Sequence, residues 1–377
     1  MLFSISKIQA QVNQNRIQVP SFQFENFIYD ARSAGLGDGG IAISPDANSG
    51  FLNPAKLPFL YQKADADNLK DNHGSNGLAI NYCPYARNLI DDMNLFGVNL
   101  YHARKENDAF SLSIKYFAAG TVTMTDDNAH IVGTANSNEF ALQGAYAKKL
   151  SAKGSLSIGL KYIYSNLTGK QSFAGYNITP ENTFAADIYY FHQGKLYEGQ
   201  TKWLNYGASL TNIGGKVSYG DYAKRSFQPT TLRAGVAQHF LVGANNRLAL
   251  SADAYRLVIP TPPQRNAKGD IIAGKDPEQI SAIGTIFESW TTAPDGFSET
   301  LKEINYSLGA ELTLQNMLSL RGGYFYQNKD KGNMKFFTLG LGLKAKNIGF
   351  DLSYLLPGQE NNPLAHTLRF GVLVNGL

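Results

Sequence analysis

The chain has 377 residues and a formal net charge of +4, with 17% charged residues, 12% aromatic residues and 37 glycines. Soluble domains carry about 25% charged residues, so part of this surface is not built to face water, and the weak net charge does not indicate nucleic-acid binding. The single cysteine, Cys83, excludes an internal disulfide framework and a cysteine-rich metal site.

The first residues, MLFSISKIQAQ, combine a short apolar stretch with a loosely small-residue cleavage site. We interpret residues 1–10 as the end of a signal peptide and residues 11–76 as an N-terminal segment that precedes the first strand. A chain exported in this way, with the barrel pattern described below, belongs in the outer membrane of a Gram-negative bacterium.

The stretch GLGDGG, residues 35–40, matches the G-x-G-x-x-G spacing of dinucleotide-binding loops. Such a loop follows a strand and opens a helix, and an acidic residue on the next strand binds the ribose. Here Pro45 and Pro54 interrupt any helix after the glycines, and the predicted strands begin only later. The context argues against a nucleotide site.

From about Gly77 onward, apolar and polar residues alternate with a period of two, which is typical of strands exposed to lipid on one face. No run reaches the roughly 18 apolar residues of a membrane helix. The clearest segments are 110–118, 155–164, 304–312, 318–326, 337–343, 348–354 and 368–374. Weaker ones lie near Leu78, Phe96, Phe140, Phe184, Leu204, Leu232 and Leu248. The fourteen segments predict an all-β membrane protein, a roughly 14-stranded antiparallel outer-membrane β-barrel over residues 77–377.

Short and long connections alternate along the chain, as they do in outer-membrane barrels, with one exception at His192 to Lys202. The long connections are expected at 121–138, 166–182, 214–229, 260–303 and 357–365. Fourteen strands that start inward place both termini in the periplasm. A three-residue turn at Leu314 to Asn316 is expected to set Glu311 opposite Ser319 and diagonal to Arg321, as an interior ion pair.

Charged residues within the strands mostly share the polar register. These residues are Lys115, Lys161, Arg233, Asp253, Glu311, Arg321, Lys344, Asp351 and Arg369. A catalytic role is conceivable, but a lumen network of paired charges explains them better. The pairs Asp91-Asp92 and Asp126-Asp127 suit solvated loop charge better than a cation site, and the six histidines have no metal-ligand spacing. No catalytic motif, metal site or cofactor site is predicted.

The connection at 260–303 is too long for a simple loop between two strands. Its apolar residues recur at roughly helical spacing. They are Ile280, Ile283, Ile286, Phe287 and Trp290. Two interpretations stay open: a folded loop that caps its own barrel, or an amphipathic element that binds a partner.

The order ARSAGLGDGGIAISPDANSGFLNPAKL followed by about fourteen strands resembles the FadL-type transporter superfamily, in which a glycine-rich hatch ends in an N-P-A motif. The block SPDANSGFLNPAKLPF is more similar to the PorV branch, also called LptO, of the type IX secretion system. The matching positions are Gly35, Gly37, Asp38, Ser44, Pro45, Asp46, Asn48, Asn53, Pro54 and Ala55. Glycines let a backbone pass close to a wall, so we expect this segment to be a plug within the lumen.

The resemblance implies a non-enzymatic, cofactor-free secretion component. Members of this branch associate with a giant translocon barrel (SprA/Sov type), receive the C-terminal domain of secreted cargo and carry it to a sortase-like attachment protease (PorU type). Outer-membrane lipid surrounds the barrel. The alternative is a FadL-type transporter of hydrophobic small molecules, which needs an apolar pocket near the hatch and an opening in the wall.

Overall fold

The computed structural model describes residues 16–61, 75–87, 91–125, 130–167, 172–173, 176–177, 179–220, 224–358 and 364–376. The predicted signal-peptide remnant, residues 1–10, and the pair Asp126-Asp127 lie outside these residues. Within the described ranges, every helix is too short or too polar to cross a membrane.

Fourteen antiparallel strands form a closed barrel, in which each strand pairs with its neighbours in the chain and the first pairs with the last. The strands are β1 (Ser75–Pro84), β2 (Asn94–Lys105), β3 (Asp108–Thr125), β4 (Ile131–Lys149), β5 (Gly154–Asn166), β6 (Glu181–His192), β7 (Lys202–Gly214), β8 (Thr231–Val242), β9 (Asn246–Leu257), β10 (Asn305–Leu314), β11 (Leu318–Tyr326), β12 (Lys335–Ala345), β13 (Ile348–Pro357) and β14 (Leu368–Asn375). Closure pairs the backbone of every strand and leaves no free edge. The predicted fold class and strand count are confirmed.

The period-two pattern sorts side chains between the outside of the barrel and its lumen. Leu112 and Ile114 on β3 are 44% and 42% exposed, whereas Ser113 and Lys115 between and beside them are buried. Apolar side chains therefore point outward and polar ones inward, the arrangement expected of a barrel whose outer face contacts lipid.

The two ends of the barrel differ. One end, called the turn end, carries the connections after β2, β4, β6, β8, β10 and β12; the other, called the loop end, carries those after the odd-numbered strands. The predicted long connection at 121–138 is wrong in part, because β3 and β4 continue as a paired hairpin to Thr125 and from Ile131. The β-branched run Thr121 to Thr123 favours this extension.

The turn between β10 and β11 has three residues, as predicted, but lies one residue later. Leu314 pairs with Leu318, and Glu311 stands directly opposite Arg321, not opposite Ser319. The shift arises because Gln315 and Asn316 both adopt positive φ, 52° and 55°, which makes them the turn residues. Glu311 and Arg321 still point into the lumen after this shift, so the predicted ion pair between them forms, at 2.7 Å.

The loop end contains several short elements. The long connection 258–304 holds a small hairpin (Gln264–Arg265 with Ile271–Ala273), a 3₁₀ turn at Pro277–Gln279 and the short helices Thr285–Glu288 and Phe297–Lys302. A further hairpin joins Ser172–Phe173 to Tyr176–Asn177, and a 3₁₀ turn spans Lys329–Lys331. Within the stretch of roughly helical spacing, residues 280–290, the structure has one helical turn, Thr285–Glu288.

Residues 16–61, called the lumen segment, lie mostly inside the barrel, and residues 16–19 are half-buried or exposed at the loop end. They form 3₁₀ turns at Gln23–Asn26 and Pro54–Leu60 and helical turns at Ala31–Ala34 and Ser49–Leu52. At the loop end, the Ser21 amide donates to the Phe227 carbonyl at 2.9 Å. At the turn end, the ring of Phe59 packs edge-on against that of Phe191 at 5.5 Å.

The lumen segment therefore runs from the loop end to the turn end. Arg16, the first described residue, contacts Glu299 and Asp295 of the long connection. The expectation that both termini lie in the periplasm stays a prediction, because residues 1–15 and Leu377 lie outside the described residues. Strand parity fixes where β1 begins, but not the path of the chain that precedes it.

Glycines permit contact between the lumen segment and the wall at one tight crossing. Gly37 has φ +70°, and a Cβ added there would lie 2.7 Å from the Tyr324 backbone nitrogen. A Cβ added at Gly323 of β11 would lie 2.1 Å from the Gly37 nitrogen. Two backbones touch here without side chains between them, which only glycine allows.

This contact predicts that Gly323→Ala lowers the free energy of unfolding by about 1–3 kcal/mol, since a methyl group forces two backbones apart. The matched control is Gly322→Ala on the same strand, where an added Cβ meets its nearest neighbour only at 4.0 Å. Urea unfolding of the refolded barrel, followed by electrophoretic mobility without heating, measures both. Equal midpoints for the two variants would contradict the assigned crossing.

Candidate functional site

An ionic cluster joins the lumen segment to the wall near Glu311. Arg32 donates from Nε and a terminal nitrogen to the two Glu311 oxygens at 2.8 and 2.7 Å, and its other terminal nitrogen reaches Asp46 at 2.8 Å. From the wall, Arg321 donates to Glu311 at 2.7 Å and to Asp351 at 2.6 Å. Glu311 thus sits between one arginine from the segment and one from the barrel.

The glycine turn is anchored by a wall carboxylate. Asp253 Oδ2 accepts the amides of Gly40 and Ile41 at 2.9 and 3.0 Å. Arg233 donates to the Asp38 carbonyl at 3.0 Å, and Arg369 approaches the Asp38 carboxylate at 3.9 Å. The glycine-rich turn presents its amides to a carboxylate of the protein itself, in place of a ligand phosphate.

The N-P-A motif fixes the segment at the turn end. Asn53 caps the 3₁₀ turn by accepting the Ala55 amide at 3.2 Å, and its side-chain nitrogen donates to the Tyr190 carbonyl of β6 at 3.1 Å. Pro54 takes the first position of the turn, where no amide hydrogen is needed. Ser155 of β5 donates to the Ala55 carbonyl.

The remaining motif residues extend these contacts. Asn48 accepts from Asn81 of β1 at 2.8 Å, and the Ser44 hydroxyl accepts from Arg32 at 2.8 Å. Pro45 lines a cavity of about 560 Å³ that opens at the turn end. The motif residues of the lumen segment thus contact the barrel wall, through side chains of both the segment and the wall.

A second buried cluster lies nearer the loop end. Glu25 accepts from Lys161 at 2.7 Å and from Lys115 at 3.3 Å, and Lys161 is also 3.3 Å from Asp187. Glu25 and Asp187 have fully buried side chains. A buried charge is tolerated only when paired, so Lys115 depends on the carboxylate that the lumen segment contributes, and Lys161 shares that carboxylate in addition to its wall partner Asp187.

Eight of the nine charged residues predicted to line the lumen are buried in it. They are Lys115, Lys161, Arg233, Asp253, Glu311, Arg321, Asp351 and Arg369. Lys344 is exposed at the end of β12 and lines the cavity at the turn end. Sequence reasoning missed Glu25 and Arg32, since neither lies in a strand with a readable period.

Aromatic rings fill the lumen between these clusters, another feature the sequence analysis missed. Phe27 stacks on Tyr85 at 4.7 Å and meets Phe117 edge-on at 5.4 Å. Phe325 and Phe336 of the wall stack at 4.8 Å. The available signal was Phe117 and Phe325 in the lumen register, where polar residues are usual. A cavity of about 60 Å³, lined by Glu25 and Lys115 among others, lies beside the segment.

The loop end is organised around a buried arginine of β9. Arg256 is 2% exposed, donates to Glu303 at 2.8 Å and lies 4.5 Å from the ring centre of Trp290. Lys331 joins Glu303 at 3.2 Å and Glu299 at 2.7 Å. Burial alone would raise the pKa of Glu299, but hydrogen bonds from Arg16 and Lys331 lower it to about 2.

The candidate partner-binding residues divide between two faces of the long connection. Ile280 is buried against Phe227 and Ile259, and Trp290 is half-buried over Arg256. Ile283 and Phe287 are 67% and 77% exposed. Ile286 is intermediate. One face therefore caps the barrel and the other presents apolar side chains outward; binding of a partner by that outer face stays a prediction.

Within the described ranges, no three histidine, cysteine or acidic side chains group closely enough to bind a metal ion. Asp92 accepts the amide and hydroxyl of Thr121 at 2.9 and 3.0 Å, and so links the connection between β1 and β2 to strand β3. Cys83 is a free, buried thiol.

The Glu311 cluster predicts that Glu311→Gln lowers the free energy of unfolding by about 3–5 kcal/mol, because Arg32 and Arg321 lose a shared buried carboxylate. The matched control is Glu278→Gln, since Glu278 pairs with Lys224 at 3.5 Å while 59% exposed; it should cost under about 1 kcal/mol. Urea unfolding at neutral pH checks both. Similar midpoints would show that the cluster does not join segment and wall.

Comparison with known proteins is consistent with this architecture. The solved toluene transporter TodX of Pseudomonas putida is 11% identical, with 92% of this chain and 96% of that chain covered and a TM-score of 0.52. A TodX mutant described as a monoaromatic hydrocarbon channel gives 11% identity, 92% and 98% coverage and a TM-score of 0.51. A FadL homologue of Pseudomonas aeruginosa is 12% identical, with 93% of this chain and 96% of that chain covered and a TM-score of 0.44. No curated protein matches the sequence.

The family model for the type IX secretion system protein PorV matches residues 9–264, more than half of the chain. This stretch contains the lumen segment and the first nine strands. The chain therefore belongs to the PorV family of type IX secretion system proteins and has the FadL-type outer-membrane barrel fold.

Proposed function

We propose that this chain carries secreted cargo within the type IX system. It associates with the giant translocon barrel, binds the C-terminal domain of cargo at the loop end, and brings the cargo to the sortase-like attachment protease. The observation that carries this proposal is a lumen filled by the chain's own segment beneath a loop that presents apolar side chains outward. The role is non-enzymatic.

The filled lumen argues against a solute path. The lumen segment is joined to the wall by the clusters of Glu25, Asp253 and Glu311, and the cavity beside Glu25 measures only about 60 Å³. Its lining includes Lys115, Lys161 and other charged groups, which disfavour an apolar substrate. The segment acts as a plug, and the working surface is outside.

The exposed side of the long connection is the candidate docking surface for the cargo domain. Ile283 and Phe287 lie within one helical turn of each other, and Phe297 and Leu301 on the next helix are 61% and 47% exposed. Aromatic and aliphatic anchors of this kind dominate protein interfaces. The buried residues Ile280 and Arg256 keep the loop folded when no partner is bound.

A FadL-type transporter of hydrophobic small molecules remains the second candidate because of one observation. A largely apolar cavity of about 370 Å³ lies between the end of β7 and the long connection, lined by Ile213, Gly214, Gly215, Ser281, Ala282 and Ile283. Its lining suits an apolar ligand. The cavity stands at the rim, and the lumen below it is occupied.

Co-purification from the native outer membrane separates the two functions. We expect the wild-type chain to recover a very large barrel and a cargo C-terminal domain, and the Ile283→Asp/Phe287→Asp double variant to recover roughly tenfold less cargo, the equivalent of about 1.4 kcal/mol. Ile272→Asp is the control, because Ile272 is 56% exposed on the hairpin of the same loop. A lone barrel containing fatty acid or hydrocarbon would overturn the proposal.

The plug role predicts that deleting residues 31–57 raises the permeability of the outer membrane to small solutes, since this stretch supplies Arg32 and the N-P-A motif. Influx of a chromogenic β-lactam measures the effect. Deleting residues 266–270, in the exposed hairpin turn, is the control and should leave influx unchanged. If the shortened chain forms a heat-modifiable barrel and influx does not rise, other residues close the lumen.

A further inference from the structure

The first described residues, 16–22, form an extended strap at the loop end of the barrel. Arg16 pairs with Glu299 at 2.9 Å, and Lys331 donates to the Arg16 carbonyl at 2.9 Å. Gln18 donates to the Leu257 carbonyl at 3.4 Å, and Ser21 to that of Phe227 at 2.9 Å. Every one of these partners belongs to the loop end or to the connections that emerge from it.

The chain then crosses the whole barrel before it enters the wall. Glu25 contacts Lys115 and Lys161, Arg32 contacts Glu311, and Asn53 reaches the Tyr190 carbonyl near the turn end. Strand β1 begins at Ser75, also at the turn end. Residues 16–61 thus span the barrel, with residue 16 at the loop end and residue 61 at the turn end.

The short connections of outer-membrane barrels face the periplasm and the long ones face outward. We infer that the strap is displayed on the cell-surface side of the outer membrane, where the long connection folds around it. The lumen segment is then bound to the barrel at both ends, and its first described residues lie on the outer side of the membrane and not in the periplasm. This inference does not depend on the proposed function.

Anchoring at the loop end is strong because its charges are buried. The Glu299 side chain is 5% exposed and receives both Arg16 and Lys331, and Lys331 is 6% exposed. Withdrawing the strap would leave Glu299 without its arginine in a largely desolvated site, which is costly. The outer surface of the protein therefore includes Ile17 and Val19, which are 39% and 66% exposed.

Cysteine labelling tests the inference directly. Three single-cysteine variants are made in a Cys83→Ala background: Val19→Cys, Phe287→Cys at the loop end and Met317→Cys at the turn end. They are produced in a heterologous Gram-negative host that lacks the secretion system, so that no partner covers these positions. Phe287 and Met317 are 77% and 57% exposed. A membrane-impermeant maleimide is applied to intact and to permeabilised cells.

We expect Val19→Cys to react in intact cells to within about twofold of Phe287→Cys, while Met317→Cys reacts only after permeabilisation. Reaction of Val19→Cys only after permeabilisation, together with Met317→Cys, would overturn the inference. Labelling tests position alone, so failure here would leave the cargo-binding proposal to its own co-purification test.

A second measurement tests the anchor. Arg16→Glu places a like charge beside Glu299 and should speed proteolysis of the long connection in the purified barrel at least fivefold. Lys302→Glu is the control, because Lys302 lies on the exposed side of the long connection, where it pairs with Asp330 of the neighbouring connection at 2.8 Å. Equal proteolysis rates for the two variants would show that the strap does not hold the loop.

Discussion

The structure depends on one constraint: charged side chains inside the barrel need partners that the wall alone does not supply. Arg321 and Asp351 pair within the wall, but Glu311 also receives Arg32, and two lysines share Glu25. Removing one partner of a buried pair is much more costly than an exposed pair is stabilising. The wall and the segment within it therefore specify each other.

Close backbone contact follows from the same arrangement. A segment that brings carboxylates and an arginine to the wall must lie against it, and the crossing of Gly37 with Gly323 gives the approach that side chains would prevent. Asp253 then reaches two amides of the glycine turn. In a nucleotide-binding loop, amides of this kind bind phosphate; here they bind the barrel.

Burial of charge also organises the outer surface. Beneath the long connection, Arg256 of the wall pairs with Glu303 of the connection, and Lys331 links Glu303 to Glu299. With its inner face committed to this network and to Ile280, the connection has only its outer face, with Phe287, free to meet other molecules. The inner face of the long connection closes the barrel, and its outer face exposes apolar side chains.

The amino-acid pattern alone predicts the fourteen strands, their inward and outward faces, and most of the lumen charges, because a side-chain period of two is a local property of an extended chain. It also indicated the glycine turn and the N-P-A motif by composition. The partners of these groups depend on the three-dimensional fold, because Glu25 and Arg32 lie outside any period and the one-residue shift that sets Glu311 opposite Arg321 follows from turn conformation. The path of the lumen segment was likewise decided by contacts between residues far apart in the chain, such as Arg16 and Glu299, which no local pattern records.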